Sequence, residues 1–304
     1  MISAAQWISI QLDSLVGKYA PNAVYLGVLR IIYALHILLF PVDYQWVGSV
    51  PAAFFNTPPG LLAHISEQPS AVTLTALEIG RGLLAVLVLV GYRTKLASVL
   101  LGLFLIYGAG FTHSFSKIDH FILYDLFPIF MGLAGWGCRI SLDSRRNSKE
   151  STRGLPMFLW ALTVGFALLT AAIPKALKGW LDPSREASRG YIARDVIDGY
   201  DPGLLSNFLL EIDSSLFWKF LDYATLVAEA GVIFAIFSPA FFRVAVIVML
   251  GFHIGVYLSL GINFSHYFLI YAAFFAFPVR FWFRAQTNCS NVRPHSSRMS
   301  KLNL

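Results

Sequence analysis

Charge is scarce in this chain. Of 304 residues only 13% are charged, against roughly 25% in an ordinary globular domain. With 57% hydrophobic residues and a mean hydropathy of +0.64, that shortage excludes a soluble globular protein. Cysteine is scarcer still: Cys138 and Cys289 are the only two, too few for a disulfide-stapled secreted scaffold. Soluble-enzyme signatures are also missing. There is no G-x-G-x-x-G after a strand, no P-loop, no H-E-x-x-H and no C-x-x-C. Residues 1–20 lack a basic start and a small-residue cleavage site, so no cleavable signal is expected.

The missing charge is withdrawn from long blocks rather than evenly. Eight blocks meet the roughly 20 apolar residues needed to cross a bilayer as a helix: about 24–41, 70–92, 95–113, 119–137, 155–174, 218–237, 240–260 and 263–282. Runs such as "GLLAVLVLVGY" do not alternate, which excludes a membrane β-barrel. Helices are the remaining way to satisfy a backbone in lipid. The expected fold is therefore all-α, a polytopic integral membrane bundle of about eight transmembrane helices.

Lysine and arginine are absent from 42–69, which makes that segment external by the positive-inside rule and places both termini in the cytoplasm. Arg93, Lys95, Arg139, Arg145, Arg146, Lys149, Arg153 and Arg243 then fall inside, as does the basic tail. The acid-rich 176–217 connection falls outside. The +6 net charge is explained by juxtamembrane bases facing anionic lipid, with no nucleic-acid partner. Both cysteines fall on the reducing side. The expected location is the plasma or inner membrane, multi-pass.

Residues 1–23 read as an interfacial amphipathic helix, with Ile8, Leu12, Leu15, Val16 and Tyr19 on one face. Residues 24–285 form the transmembrane domain, and 286–304 a basic disordered tail. The polar stretch 139–154 divides the domain into two four-helix halves. Trp46, Trp136, Trp180 and Trp282 fit an interfacial belt, and the glycines of "GFHIGVYLSLG" fit small-residue helix contacts.

Ionisable residues inside spans mark interiors, cavities or function. Here they are Arg30, Glu78, Arg81, Asp119, His120, Asp125, Lys175, Glu229, His253 and His266. With the topology above, most converge on the outer half of the bundle; Arg30 belongs to the inner half. Glu78 and Arg81, three apart, fit an ion pair. Glu229 has no partner along its own helix. On spacing alone, Lys175 and Lys178 read as helix-end lysines that snorkel to the surface. His120, His253 and His266 come from three separate helices without an i,i+4 pair, so no metal is expected.

Three stretches then resemble a known family. "KIDHFILYDLFPIFMGLAGWGCRISLD", "AAIPKALKGWLDPSREASRGYI" and "YATLVAEAGVIFAI" with its following "FFRVAVIVMLGFHIGVYLSLGINFSHYFLIY" are similar to blocks of the HTTM family, whose membrane domain is shared with vitamin K-dependent gamma-carboxylase. The resemblance implies a membrane-embedded, quinone- and oxygen-linked redox enzyme with an outward-facing site. It places the catalytic pair on Lys175, five residues before Trp180, and His120. Asp119, Trp180, Glu229, His253, Phe264 and Arg81 would contact substrate or quinone. The implied cofactor is a reduced, naphthoquinone-like quinone, with O2 and CO2 as co-reactants. Gly179 and Pro174 depart from the family pattern, and the carboxylase's large lumenal portion is absent, which argues against peptide carboxylation. The alternative is a non-enzymatic membrane factor for maturation or export of a secreted peptide, bound by the external loops. A transporter would show inverted repeats, and none is visible.

Overall fold

A computed structural model describes residues 4–58, 60–115, 121–146, 151–199 and 202–276, and every regular element among them is helical. The helices are α1 (Ala4–Gly17), α2 (Ala23–Leu39), α3 (Gln45–Ser49), α4 (Ala71–Val90), α5 (Thr94–Thr112), α6 (Ile122–Ala134) and α7 (Leu142–Arg146). They continue with α8 (Gly154–Lys175), α9 (Ala187–Ile197), α10 (Ser206–Leu210), α11 (Ser215–Ala235), α12 (Pro239–Leu260) and α13 (His266–Ala272). A helix lies in each of the apolar blocks.

Four helical stretches, 71–90, 94–112, 154–180 and 239–260, are long and apolar enough to cross a membrane, which suggests a membrane protein. The apolar stretches 23–39, 122–134 and 266–275 are shorter. Helix α6 begins at Ile122 and stops at Gly135, whose φ of +95° suits only glycine. Asp119, His120, Trp282 and the 286–304 tail lie outside the described residues.

Local chemistry sets the boundaries. Asn22 and Ser70 accept hydrogen bonds from the first N–H groups of α2 and α4, and Ser214 does so for α11. Pro239 opens α12, and left-handed Gly91 and Gly261 close α4 and α12.

The helices pack together so that α6 meets both α5 and α8, and α13 lies against α2, α6 and α12. Through α6 and α13 the helices before and after the 139–154 stretch pack against each other. One end gathers the basic connections. There Arg30, fully buried, donates to the Val88 carbonyl at 2.6 Å and to the Ile140 carbonyl, tying α2 to the end of α4. Asp143 accepts from the N–H groups of Arg93 and Thr94 at 2.9 and 2.6 Å, capping α5 from the short helix α7. Partial burial pushes its carboxyl up, but these N–H groups, the Thr94 hydroxyl and Arg146 outweigh it and hold it below the usual range.

Several expectations change. Trp136 is fully buried with its N–H on Ser98 Oγ at 2.8 Å, so it is a core residue and not a belt residue. Gly251 and Gly255 face open space and pack against nothing; the close helix contact is Gly165, where an added Cβ would sit 3.0 Å from the Ile233 backbone. Glu78 and Arg81 do not pair with each other. Glu78 accepts from the Tyr44 N–H at 3.0 Å, while Arg81 donates to the Val42 carbonyl at 2.6 Å and lies over the Tyr44 ring. The 42–45 segment offers each group a better-placed partner than its neighbour on α4. In α1, Trp7, Ile8, Ile10 and Leu12 are exposed, and Tyr19 beyond it is buried with its hydroxyl on the Ile236 carbonyl.

Candidate functional site

The site is built where α8 ends. Pro174 removes one N–H from the last turn of α8, and the chain continues as a π turn over Ala176–Trp180. Gly179, at φ +95°, reverses the backbone and swings Trp180 back under Lys175. Trp180 is buried among Ala172 and Leu226, and the Lys175 ammonium lies 5.5 Å from the centre of its ring.

Helix α11 supplies the other half. Lys219, Asp222, Leu226 and Glu229 recur at helical spacing and are all buried. Lys219 donates to Asp222 at 2.8 Å and to the Trp180 carbonyl at 3.1 Å. Asp222 in turn accepts from the N–H groups of Ala187 and Ser188 at 3.0 and 2.8 Å, capping α9. This polar clamp fixes Trp180 and the 181–214 lobe onto α11. Two turns further on, Glu229 Oε1 accepts from Lys175 Nζ in an ion pair. The Glu229 side chain is 5% exposed and that of Lys175 28%. The partner Glu229 lacks on its own helix comes from α8. Its second oxygen, Oε2, is buried without a hydrogen-bond partner.

An imidazole and phenol array adjoins the pair. Tyr271 on α13 lies within electrostatic range of Glu229, and its hydroxyl is buried without a partner. Its ring is nearly parallel to His253, centroids 5.9 Å apart. His253 stacks on Phe264 at 4.6 Å and touches Tyr267 at 4.5 Å. His266 stacks on Phe121 at 4.1 Å, directly after the 116–120 segment. Farther along, Tyr124 Oη and His36 Nδ1 are 2.6 Å apart.

Between α12 and α13 runs an open crevice of about 320 Å³, lined by His253, Ile254, Tyr257, Asn263, Phe264, Ser265 and Phe268. Its walls are aromatic and aliphatic, with an imidazole, an amide and a hydroxyl among them. Ile254, Tyr257 and Phe268 are also exposed on the bundle surface, so the crevice opens sideways.

Of the residues singled out in the sequence, the structure joins Lys175, Glu229 and Trp180 in one cluster, and His253 with Phe264 in the crevice. Arg81 belongs to a different cluster, with Tyr44 and Val42, and is no part of this site. His120 and Asp119, outside the described residues, enter no geometry here. Sequence reading missed Tyr271, Lys219, Asp222 and His36. For Lys219 and Asp222 the signal was present, since they share the helical face of Glu229 at i, i+3 and i+10. The chain matches no protein-family model, no curated protein and no solved structure.

Proposed function

We propose that the chain is an HTTM-class membrane enzyme that handles a proton at a reduced quinone, with the Lys175–Glu229 pair as proton acceptor. The observation that carries this reading is the buried pair itself, with one carboxylate oxygen bound to the ammonium and the other unpartnered. Buried ionic groups in a membrane bundle are costly and are retained where they have work.

The residues fit a quinone by shape and chemistry. Phe264 and His253 offer flat faces, Asn263 and Ser265 offer hydrogen bonds, and the sideways opening suits a lipid-soluble ring. When bound, a reduced quinone supplies the electrons for chemistry with dioxygen. The protein's own part is to hold and move a proton. Tyr271 stacks on His253 and lies within electrostatic range of Glu229. Glu229 Oε2 is the acceptor for that proton, while Lys175 Nζ, bonded to Oε1, orients the carboxylate that receives it. Glu229 then receives the buried-side proton and Lys175 positions it, a division of labour the family resemblance alone does not supply.

Eight crossings with cytoplasmic termini belong to the same proposal. Helix α11 supports it: Leu216, Phe220, Tyr223, Val227 and Phe234 form one exposed apolar stripe, while its charges face inward. At 1.5 Å per residue that stripe runs about 27 Å, close to the hydrocarbon thickness.

Oxygen uptake by protein reconstituted in nanodiscs, supplied with chemically reduced menadione, tests the enzyme reading. Wild type is expected to exceed the protein-free rate. Glu229→Gln and Lys175→Met are each expected to lose on the order of a hundredfold, the scale of general acid–base catalysis. No uptake above background in wild type, or unchanged rates in both variants, would overturn it.

A further inference from the structure

Beyond that reading, we infer that the 181–214 lobe is seated in the membrane itself, with α10 and the end of α9 immersed at the boundary between acyl chains and headgroups. The lobe carries side chains that water would not favour: Leu181 (56% exposed), Ile197 (82%), Leu204 (86%) and Phe208 (63%). Leu177, in the π turn beside it, is 82% exposed. Scattered exposed apolar residues are ordinary, but a group this large on a short lobe marks an interaction surface.

The level of the lobe is fixed by its attachment. The Leu205 N–H donates to the Leu258 carbonyl at 2.8 Å, and Ser206 Oγ to the Ser259 carbonyl at 2.8 Å. Gly203 lies so close that a Cβ there would be 2.3 Å from the Leu258 oxygen. These bonds satisfy the last carbonyls of α12, which otherwise lack donors. Helix α12 is 22 residues long and apolar enough to cross a membrane, or about 33 Å. Its last turn therefore stands at the edge of the hydrocarbon, and α10 is bolted to that turn. Leu204 and Phe208 are exposed on the lobe, as Ile254 and Tyr257 are on α12 and Leu216 is on α11.

Position rather than charge favours lipid over a protein partner, because the lobe is bonded to the end of a helix long and apolar enough to cross a membrane. Arg185 pairs with Asp182, Arg189 with Glu186 and Arg194 with Asp195, so the lobe's three arginines are satisfied within it. What remains outward is the apolar rim, with exposed acids such as Glu211 and Asp213 beyond it. The lobe would then sit in the bilayer beside the mouth of the α12–α13 crevice.

The test uses the full chain with Cys138 and Cys289 replaced by alanine, in phosphatidylcholine nanodiscs without any partner. Single cysteines at Leu204→Cys, Phe208→Cys and Ile197→Cys are labelled with an environment-sensitive fluorophore, and Glu211→Cys, exposed and polar, is the reference. Nitroxide carried on the lipid chain and iodide in the water are the quenchers. At 204, 208 and 197 lipid quenching is expected to exceed iodide quenching, with the order inverted at 211. Three independent positions keep the test intact should one variant fold poorly. Iodide quenching at 204 and 208 equal to that at 211 would overturn the inference and leave the rim for a protein partner. Neither outcome depends on redox turnover.

Discussion

Removing the Lys175 ammonium should cost more stability than removing the Glu229 carboxylate, and the asymmetry follows from exposure. Lys175→Met leaves a carboxylate that is 5% exposed with neither oxygen bonded. Breaking a buried pair in this way typically costs about 3–5 kcal/mol, because the remaining charge is uncompensated. Glu229→Gln instead leaves a lysine that is 28% exposed, and its four-carbon stem can carry the ammonium toward the surface. That variant keeps an oxygen to accept from Lys175 and should cost about 1–2 kcal/mol, the scale of a weakened charged hydrogen bond.

The double variant Lys175→Met/Glu229→Gln removes both charges and should recover much of the loss, because no buried charge is then left uncompensated. Unfolding of the four proteins in nanodiscs, followed by intrinsic tryptophan fluorescence under denaturant, gives the cycle. A coupling energy of at least roughly 2 kcal/mol is expected for side chains in contact. Equal small losses in the two single variants, adding in the double, would show that the ammonium and carboxylate do not meet.

Other consequences follow from neighbouring geometry. Asp143→Ala should cost about 1–2 kcal/mol at pH 7 as a lost cap, measured by the same unfolding assay. Because the folded carboxyl lies below its usual value, that contribution is present above about pH 4 and is lost as pH falls further, so wild type and variant should converge under acid. Asp222→Ala should speed amide exchange in α9, beginning at Ala187 and Ser188, which lose their acceptor; hydrogen exchange by mass spectrometry reads this directly. Gly165→Ala should destabilise and loosen the α8–α11 contact, since its Cβ meets Ile233 backbone at 3.0 Å, whereas Gly251→Ala, with open space around it, should be neutral or stabilise by up to about 1 kcal/mol. Thermal unfolding of the two alanine variants side by side separates them.

Hydrophobic blocks made the helices legible because a bilayer-length apolar run has few other uses, and each block in this sequence does contain a helix. What the blocks could not convey was direction of facing. Trp136 sits beside basic residues and reads as a belt tryptophan, yet its indole N–H finds Ser98 across a helix gap and draws it into the core. Glu78 and Arg81 read as a pair by spacing, but the connection after α2 brings a backbone N–H and a carbonyl within reach, and those take both groups. Spacing along one helix reports which side chains are adjacent, not what another segment offers them. For the same reason Lys175 and Glu229, 54 positions apart, could each be flagged as unusual but not joined.

Helix α11 shows most clearly why a buried site hides from composition. With 21 residues it is long enough to cross a bilayer, yet Lys219, Asp222 and Glu229 remove it from the helices apolar enough to do so. Each of those residues is buried and bonded to another part of the chain: Lys219 to the Trp180 carbonyl, Asp222 to the start of α9, Glu229 to Lys175. The opposite face, from Leu216 to Phe234, carries none of them. A helix turned this way can present hydrocarbon to lipid along its whole length while keeping three ionisable groups inside. Its average hydropathy is lowered by the same residues that hold α8, Trp180 and the lobe in place. Charge on α11 is therefore better read by face than by count, and read by face it points inward to the Lys175–Glu229 pair.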